Sequence, residues 1–195
     1  MTSNIGAIVL AAGYSRRFRG IKLDARLNNG KTVFQQTLQR LSKNIQPVII
    51  VSRPDVAPLL SPHLTPSSKL EIFDDADQGM GASLAFAAKQ ITDWDGCLVC
   101  LADMPFISSD SYLAIARQIK PGFILTPRHS GKSGNPVAFS AEYFQELREL
   151  QGDSGGKSVL RKHQDSIIEL ELDDGGILLD IDTEEQLQQY QADKY

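Results

Sequence analysis

The sequence predicts an α/β fold: a doubly wound, mostly parallel sheet with helices on both faces. Three observations carry the prediction. Short apolar runs alternate with amphipathic stretches along all 195 residues, the pattern of repeated β and α elements. The runs Ile5–Leu10, Val48–Ser52 and Cys97–Leu101 are continuous and mostly aliphatic, as strands buried on both faces are. No internal repeat and no linker-like stretch interrupts the chain, so 1–195 reads as a single domain large enough for a full hydrophobic core.

The elements follow in order. The strand Ile5–Leu10 stops abruptly at the small residues Ala11-Ala12-Gly13. A helix is expected from Thr32 to Leu41, because Thr32-x-x-Gln35 forms a capping box. The strand Val48–Ser52 is followed by Ser61-Pro62-His63-Leu64-Thr65-Pro66, a surface loop by composition. Leu70–Phe73 reads as a strand and the Ala-rich Ala82–Gln90 as a helix. After Cys97–Leu101, a helix over Asp110–Ile119 carries Tyr112, Ile115 and Ile119 at helical spacing. Strands at Phe123–Thr126 and Pro136–Phe139, a helix at Ala141–Leu150, strands at Ile167–Leu172 and Ile177–Ile181, and a helix at Glu184–Gln191 complete the pattern.

Composition narrows the function classes. A hydrophobic content of 42% and a charged content of 23% are those of an ordinary globular protein. The net charge of −4 argues against general nucleic-acid binding. No apolar run approaches a membrane span, and residues 1–20 lack a signal-peptide pattern, so the expected location is cytoplasmic. Cys97 and Cys100 are three apart on a predicted strand and point to opposite faces, which excludes joint metal chelation and an easy disulfide. They read as two small buried hydrophobes. His63, His129 and His163 have no carboxylate or serine partner at a recognisable spacing and read as surface residues.

The chemistry concentrates after the first strand. Four basic side chains, Arg16, Arg17, Arg19 and Lys22, follow the small-residue turn within seven positions. Such a turn lets backbone N–H groups approach a phosphate, and the cations neutralise it, so the segment suggests a nucleoside triphosphate site. It is not a dinucleotide fingerprint, which needs G-x-G-x-x-G where this loop has only Gly13 and Gly20. Nor is there a Walker A loop: Gly152-Asp153-Ser154-Gly155-Gly156-Lys157-Ser158 is one residue short and follows a helical stretch rather than a strand.

What the loop does match is L-A-A-G-x-S-x-R, then four residues and K: Leu10, Ala11, Ala12, Gly13, Ser15, Arg17 and Lys22. It resembles the signature of nucleotidyltransferases that activate sugar phosphates and the molybdenum cofactor, within them the MobA/MocA-like group. One departure is Arg19 where that group has Gly, with Gly20 one place late. The resemblance runs from Ile5 to Leu187 in several ordered motifs. It implies a Rossmann-like three-layer sandwich of the nucleotide-diphospho-sugar transferase type. It also implies Mg2+-dependent transfer of a nucleoside monophosphate to a phosphorylated acceptor. The loop residues would hold the nucleotide, and Arg17 and Lys22 would be its catalytic cations.

Further motifs extend the resemblance. Asp103, in Leu101-Ala102-Asp103-Met104-Pro105, is a carboxylate directly after a buried strand, well placed for Mg2+. Alone it could equally be a turn former, but the stretch resembles the [L/C/G]-x-D-x-P motif that carries a metal-binding, catalytic Asp in the family. Leu179-Asp180-Ile181-Asp182-Thr183-Glu184 resembles D-I-D-T-P-E, which makes Asp182 the second metal ligand and Asp180 its support; Thr183-x-x-Gln186 is also a plausible capping box. Gln78-Gly79-Met80-Gly81-Ala82-Ser83-Leu84 resembles E-G-M-x-x-S-L, placing Gly79 and Ser83 near the nucleotide, although an ordinary helix start would read the same way. Gly134-Asn135-Pro136 and Gly152-Asp153 with Lys157 resemble acceptor-facing segments, giving Asn135, Pro136, Asp153 and Lys157 as acceptor contacts, with Arg161 a further cation; two flexible surface loops are the alternative.

Within the family, L-A-A-G goes with CTP and L-A-G-G with GTP, so Ala12 favours CTP. The expected activity is a molybdenum cofactor cytidylyltransferase acting on a molybdopterin-type acceptor, with a molybdoenzyme or its chaperone as the receiving partner. Guanylyl transfer and sugar- or alcohol-phosphate acceptors are alternatives. A non-catalytic nucleotide-binding, cofactor-delivery protein is another, against which the intact set Lys22, Asp103 and Asp182 argues.

Overall fold

The computed structural model describes residues 4–15 and 17–192; Arg16, one of the four clustered cations, lies outside the described residues. In chain order the elements are β1 (Ile5–Leu10), α1 (Val33–Ser42), β2 (Val48–Ser52), α2 (Ala57–Leu60), β3 (Ser68–Ile72), α3 (Met80–Ala88), β4 (Gly96–Leu101), α4 (Ser109–Arg117), β5 (Ile124–His129), β6 (Lys132–Ser133), β7 (Val137–Ser140), α5 (Phe144–Arg148), α6 (Lys157–Lys162), β8 (Ile167–Glu171) and α7 (Glu184–Ala192). The strand order is β3-β2-β1-β4-β7-β5-β6, with β8 pairing β5. Strands β1 to β4 are mutually parallel, as are β5 and β8. Strand β7 runs antiparallel between β4 and β5, and β6 is antiparallel to β5.

The continuous apolar runs are explained by burial on two faces. In β1, Ala7 and Val9 pack with Phe34, Leu38 and Leu41 of α1 and Tyr112 and Ile115 of α4. The alternate residues Ile8 and Leu10 pack with Leu84 and Ala87 of α3 and Phe144 and Leu147 of α5. Helices therefore cover both faces, giving the three-layer sandwich. Cys100 belongs to the first core and Cys97 to the second, so the pair does point to opposite faces. Among the described residues no helix is long and apolar enough to cross a membrane.

Helix α1 starts where the sequence places it. Thr32 Oγ1 accepts the Gln35 N–H at 3.1 Å, satisfying one N–H of the first turn. Thr32→Ala is expected to cost about 1 kcal/mol, read as a lower denaturation midpoint at unchanged slope.

Three expectations need correction. Ile177–Ile181 is not a strand: Gly175–Leu178 is a 3-10 turn. Asp174 forces that turn, its Oδ1 accepting the Gly176 N–H at 2.9 Å and its Oδ2 the Ser108 N–H at 2.9 Å. Ile177 and Ile181 are both fully buried, so their apolar spacing serves packing without a ladder. The helix expected over Ala141–Leu150 is divided into a 3-10 turn, Ala141–Tyr143, and α5. The histidines are half-buried, and two have partners: His129 Nδ1 lies 2.8 Å from the Leu172 carbonyl and His163 Nε2 lies 2.7 Å from Glu146 Oε1. Those partners stand 43 and 17 residues away, a separation that local spacing cannot reveal. The helices α2 and α6 and the two-residue strand β6 are too short to leave a periodic signal.

Candidate active site

A cavity of about 500 Å3 opens at the carboxyl ends of β1 and β4, where a doubly wound sheet gathers its ligand contacts. A second depression, of about 590 Å3, lies between α1 and the segment before β3, at the amino ends of the strands, and contains none of the candidate residues. The candidate residues gather in the first.

The small-residue loop forms one wall. As β1 ends, the Ala11 N–H donates to the Val51 carbonyl at 2.8 Å and the Ala102 N–H to the Leu10 carbonyl at 3.1 Å, fixing the exit between two neighbouring strands. Ala11 and Ala12 are buried, Gly13 and Tyr14 exposed. Ser15 then turns the chain with φ 44°, in the left-handed region. That turn, with the Phe18 N–H on the Ser15 carbonyl at 2.9 Å, leads to the 3-10 turn Lys22–Asp24.

Lys22 reaches back to the cavity floor. Its ammonium forms an ion pair with Asp103 and another with Asp182 Oδ1 at 3.1 Å. Arg17 Nη2 lies 2.5 Å from Asp182 Oδ2. Asp103 comes directly after β4, and Asp182 comes from the C-terminal segment, which is tied to it by the Ile181 N–H on the Asp103 carbonyl at 3.0 Å. The capping box is also real: Thr183 Oγ1 accepts the Gln186 N–H at 3.2 Å, and Gln186 Oε1 accepts the Asp182 N–H at 2.8 Å. The cap fixes the backbone from which the Asp182 side chain enters the cavity.

The electrostatics follow from burial. Desolvation works against the Lys22 charge, but Asp103 and Asp182 outweigh it and hold the ammonium above its usual range. Burial raises the Asp103 carboxyl, Lys22 opposes the rise, and nearby Asp180 adds to it. Asp103 Oδ1 is buried with no hydrogen-bond partner. Such an atom is costly unless a cation or donor meets it. Among the described residues no group of three or more His, Cys, Asp or Glu forms a ready metal cage. A Mg2+-type ion does not need one, since one or two carboxylates suffice when phosphate oxygens and water complete the shell. The residues present thus fit a divalent ion brought with a nucleotide.

A second wall is the start of α3. Ser83 is buried and turns its hydroxyl onto the Gly79 carbonyl at 3.2 Å, fixing the first turn. The Gly81 N–H donates to the Gly152 carbonyl at 2.7 Å, docking the loop that carries Asp153. A β-carbon on Gly81 would lie 2.7 Å from the Gln151 and Gly152 carbonyl oxygens, too close without a backbone shift. Gly81→Ala is expected to push that loop off at a cost of about 1–3 kcal/mol and to weaken nucleotide binding, measured by calorimetric titration.

The structure brings Leu10, Ala11, Ala12, Gly13, Ser15, Arg17, Lys22, Gly79, Ser83, Asp103, Asp153 and Asp182 to one cavity. Asn135, Pro136 and Lys157 do not line it. Strand β7 pairs Val137 with Val99, which carries Asn135 and the buried Pro136 to the edge of the sheet where Asp103 sits. Lys157 is exposed on the first turn of α6. Sequence reasoning missed the wall residues Tyr14 and Met80, and Arg53 behind the loop. For Arg53 a signal existed: it directly follows the carboxyl end of β2, the end that faces ligands in such sheets.

The doubly wound sheet carries a small-residue loop, two cations and a carboxylate pair at its carboxyl edge, and the family its sequence matches is one of nucleotidyltransferases. The chain belongs to the family of the MobA-like NTP transferase domain, whose sequence model matches residues 7–167. It is 31% identical over 190 residues to the purine catabolism protein PucB of Bacillus subtilis, covering 92% of each chain. Among solved structures, Rv0371c from Mycobacterium tuberculosis H37Rv superposes with a TM-score of 0.85 at 23% identity, covering 98% of this chain and 100% of that one. The manganese complex of Rv0371c superposes at 0.82 with the same identity and coverage. Both share the fold.

Proposed function

We propose that the protein is a Mg2+-dependent cytidylyltransferase that moves CMP from CTP onto a molybdopterin-type phosphorylated acceptor. The observation that carries this reading is the meeting of Lys22, Asp103 and Asp182 in a cavity walled by the Ala11–Ser15 loop. An acceptor phosphate is already ionised at neutral pH, so the reaction needs no protein base. Its oxygen attacks the α-phosphorus in line, the bond from that phosphorus to the bridging oxygen breaks, and pyrophosphate leaves. The loop amides and Arg17 hold the triphosphate. Lys22 neutralises charge on the α-phosphate and on the departing pyrophosphate. Mg2+ held by Asp103 and Asp182 would supply further charge neutralisation across the phosphate oxygens. Asp153, which lines the cavity, and Asn135, Pro136 and Lys157, which lie outside its lining, would form the acceptor side.

Ala12 supports the choice of base. It is 5% exposed on the cavity wall, and its β-carbon narrows the turn in favour of a pyrimidine. The PucB relative is named for purine catabolism, and the product made here would serve that metabolism through a molybdoenzyme or its chaperone. The test is radiolabel transfer from CTP, GTP, UTP and ATP to molybdopterin or its molybdenum form, with Mg2+. Transfer from CTP alone is expected, with Ala12→Gly raising the use of GTP. Transfer from GTP by the unaltered protein overturns the reading of Ala12. No transfer from any nucleotide directs the search to sugar phosphates, and then to a nucleotide-binding delivery role.

A further inference from the structure

Arg53, 8% exposed, is the one charged residue among the buried residues of the described chain. Its backbone is fixed, because its carbonyl accepts the Val56 and Ala57 N–H groups at 3.2 and 3.1 Å as α2 begins. Its side chain has three partners. Nη1 donates to the Gly13 carbonyl at 2.6 Å, Nε donates to Asp55 Oδ1 at 2.7 Å, and the guanidinium lies 4.3 Å from the centre of the Tyr14 ring. Burying a guanidinium is expensive unless every partner is well placed. Here the partners are not a second core element. One is a largely exposed carboxylate, and two are consecutive residues of the loop that lines the cavity.

We propose that Arg53 is a positioning residue for nucleotide binding, acting through Gly13 and Tyr14; the proposal rests on the nucleotidyltransferase reading above. Arg53 itself does not line the cavity, whereas Gly13 and Tyr14 do. A trans peptide is planar, and its C=O and N–H point in opposite directions. Gripping the Gly13 carbonyl from behind therefore turns the Tyr14 N–H toward the cavity, where a phosphate oxygen can accept it. The same guanidinium braces the Tyr14 ring, 46% exposed, as a fixed wall of the site. The forked guanidinium suits this task because it serves the carbonyl, the carboxylate and the ring together. Lysine can serve the carbonyl but not all three.

The test compares the unaltered protein with Arg53→Met and Arg53→Lys, by calorimetric titration with CTP and Mg2+ and by thermal melting. Arg53→Met is expected to weaken CTP binding at least about tenfold. Arg53→Lys, which keeps a donor for Gly13, is expected to recover most of that loss. In steady-state assays the effect should fall on KM for CTP with kcat little changed, the mark of lost uniform binding. Lower melting temperatures with unaltered CTP affinity in both variants overturn the proposal and leave Arg53 a structural bolt. Equal loss of affinity in both variants also overturns it, since the carbonyl grip would then not be the determinant. If Arg53→Met does not fold, Arg53→Gln takes its place, again with weakened CTP binding expected and unaltered binding overturning the proposal. An unaltered protein that binds no nucleotide overturns the underlying reading as well, and that outcome is distinguishable because it precedes any substitution.

Discussion

Asp103→Asn is expected to abolish nucleotidyl transfer while the sheet stays folded. The substitution keeps the shape of the side chain and removes one charge. In the native site Oδ2 pairs with Lys22 and Oδ1 is buried without a partner. Under the proposed mechanism that orphaned oxygen is the one a divalent ion meets. A neutral amide oxygen offers the ion no negative charge and holds it less well, so kcat should fall by about 10³ or more, on the scale of losing a principal electrostatic contact. Mn2+ binding in the presence of CTP, followed by electron paramagnetic resonance, should be lost together with turnover. Stability should change less than on loss of Lys22, because Lys22 keeps Asp182 as a counter-charge and the desolvation penalty of the Asp103 carboxylate is removed. Turnover near the native rate would sink the assignment of Asp103 to the metal.

Lys22→Met is expected to abolish turnover too, with the opposite signature in stability. Met removes the cation that Asp103 and Asp182 share. Asp182 retains Arg17, whereas Asp103 is left as a buried carboxylate with no counter-charge. Breaking a buried pair from one side costs up to about 3–5 kcal/mol. The two variants thus form a matched pair, both inactive but only Lys22→Met strongly destabilised, and denaturant titration at neutral pH separates them. Equal stability of the two would mean that Lys22 is not the counter-charge on which Asp103 depends.

The parts of this fold legible in the sequence are those whose determinants are local. β1 and β2 lie at their expected bounds because burial on both faces makes their runs uninterrupted. Helix α1 begins as expected because Thr32 and Gln35 are three residues apart. The approach of the Ala11–Ser15 loop to Asp103 was also foreseeable, since both follow strands of a doubly wound sheet and β1 and β4 prove to be neighbours. What could not be read depends on contacts between distant segments. Arg53 matters only because β2 lies beside β1 and brings its side chain behind Gly13. The run Ile177–Ile181 has the composition of a strand, yet Asp174 and Gly176 bend it into a turn against Ser108. Nothing in the spacing of His163 points to Glu146.

The placement of the two cysteines has a practical consequence. Each is sealed in the core on its own side of β4, and burial pushes both thiols well above their ordinary range. Neither offers a thiolate to an electrophile or oxidant while the sheet is folded. The protein should therefore be silent to maleimide reagents in its native state and react twice when denatured. A single cysteine introduced on an exposed rim position such as Met80 would then be the sole reactive handle, and a fluorophore there could follow the mouth of the cavity without altering the native pair.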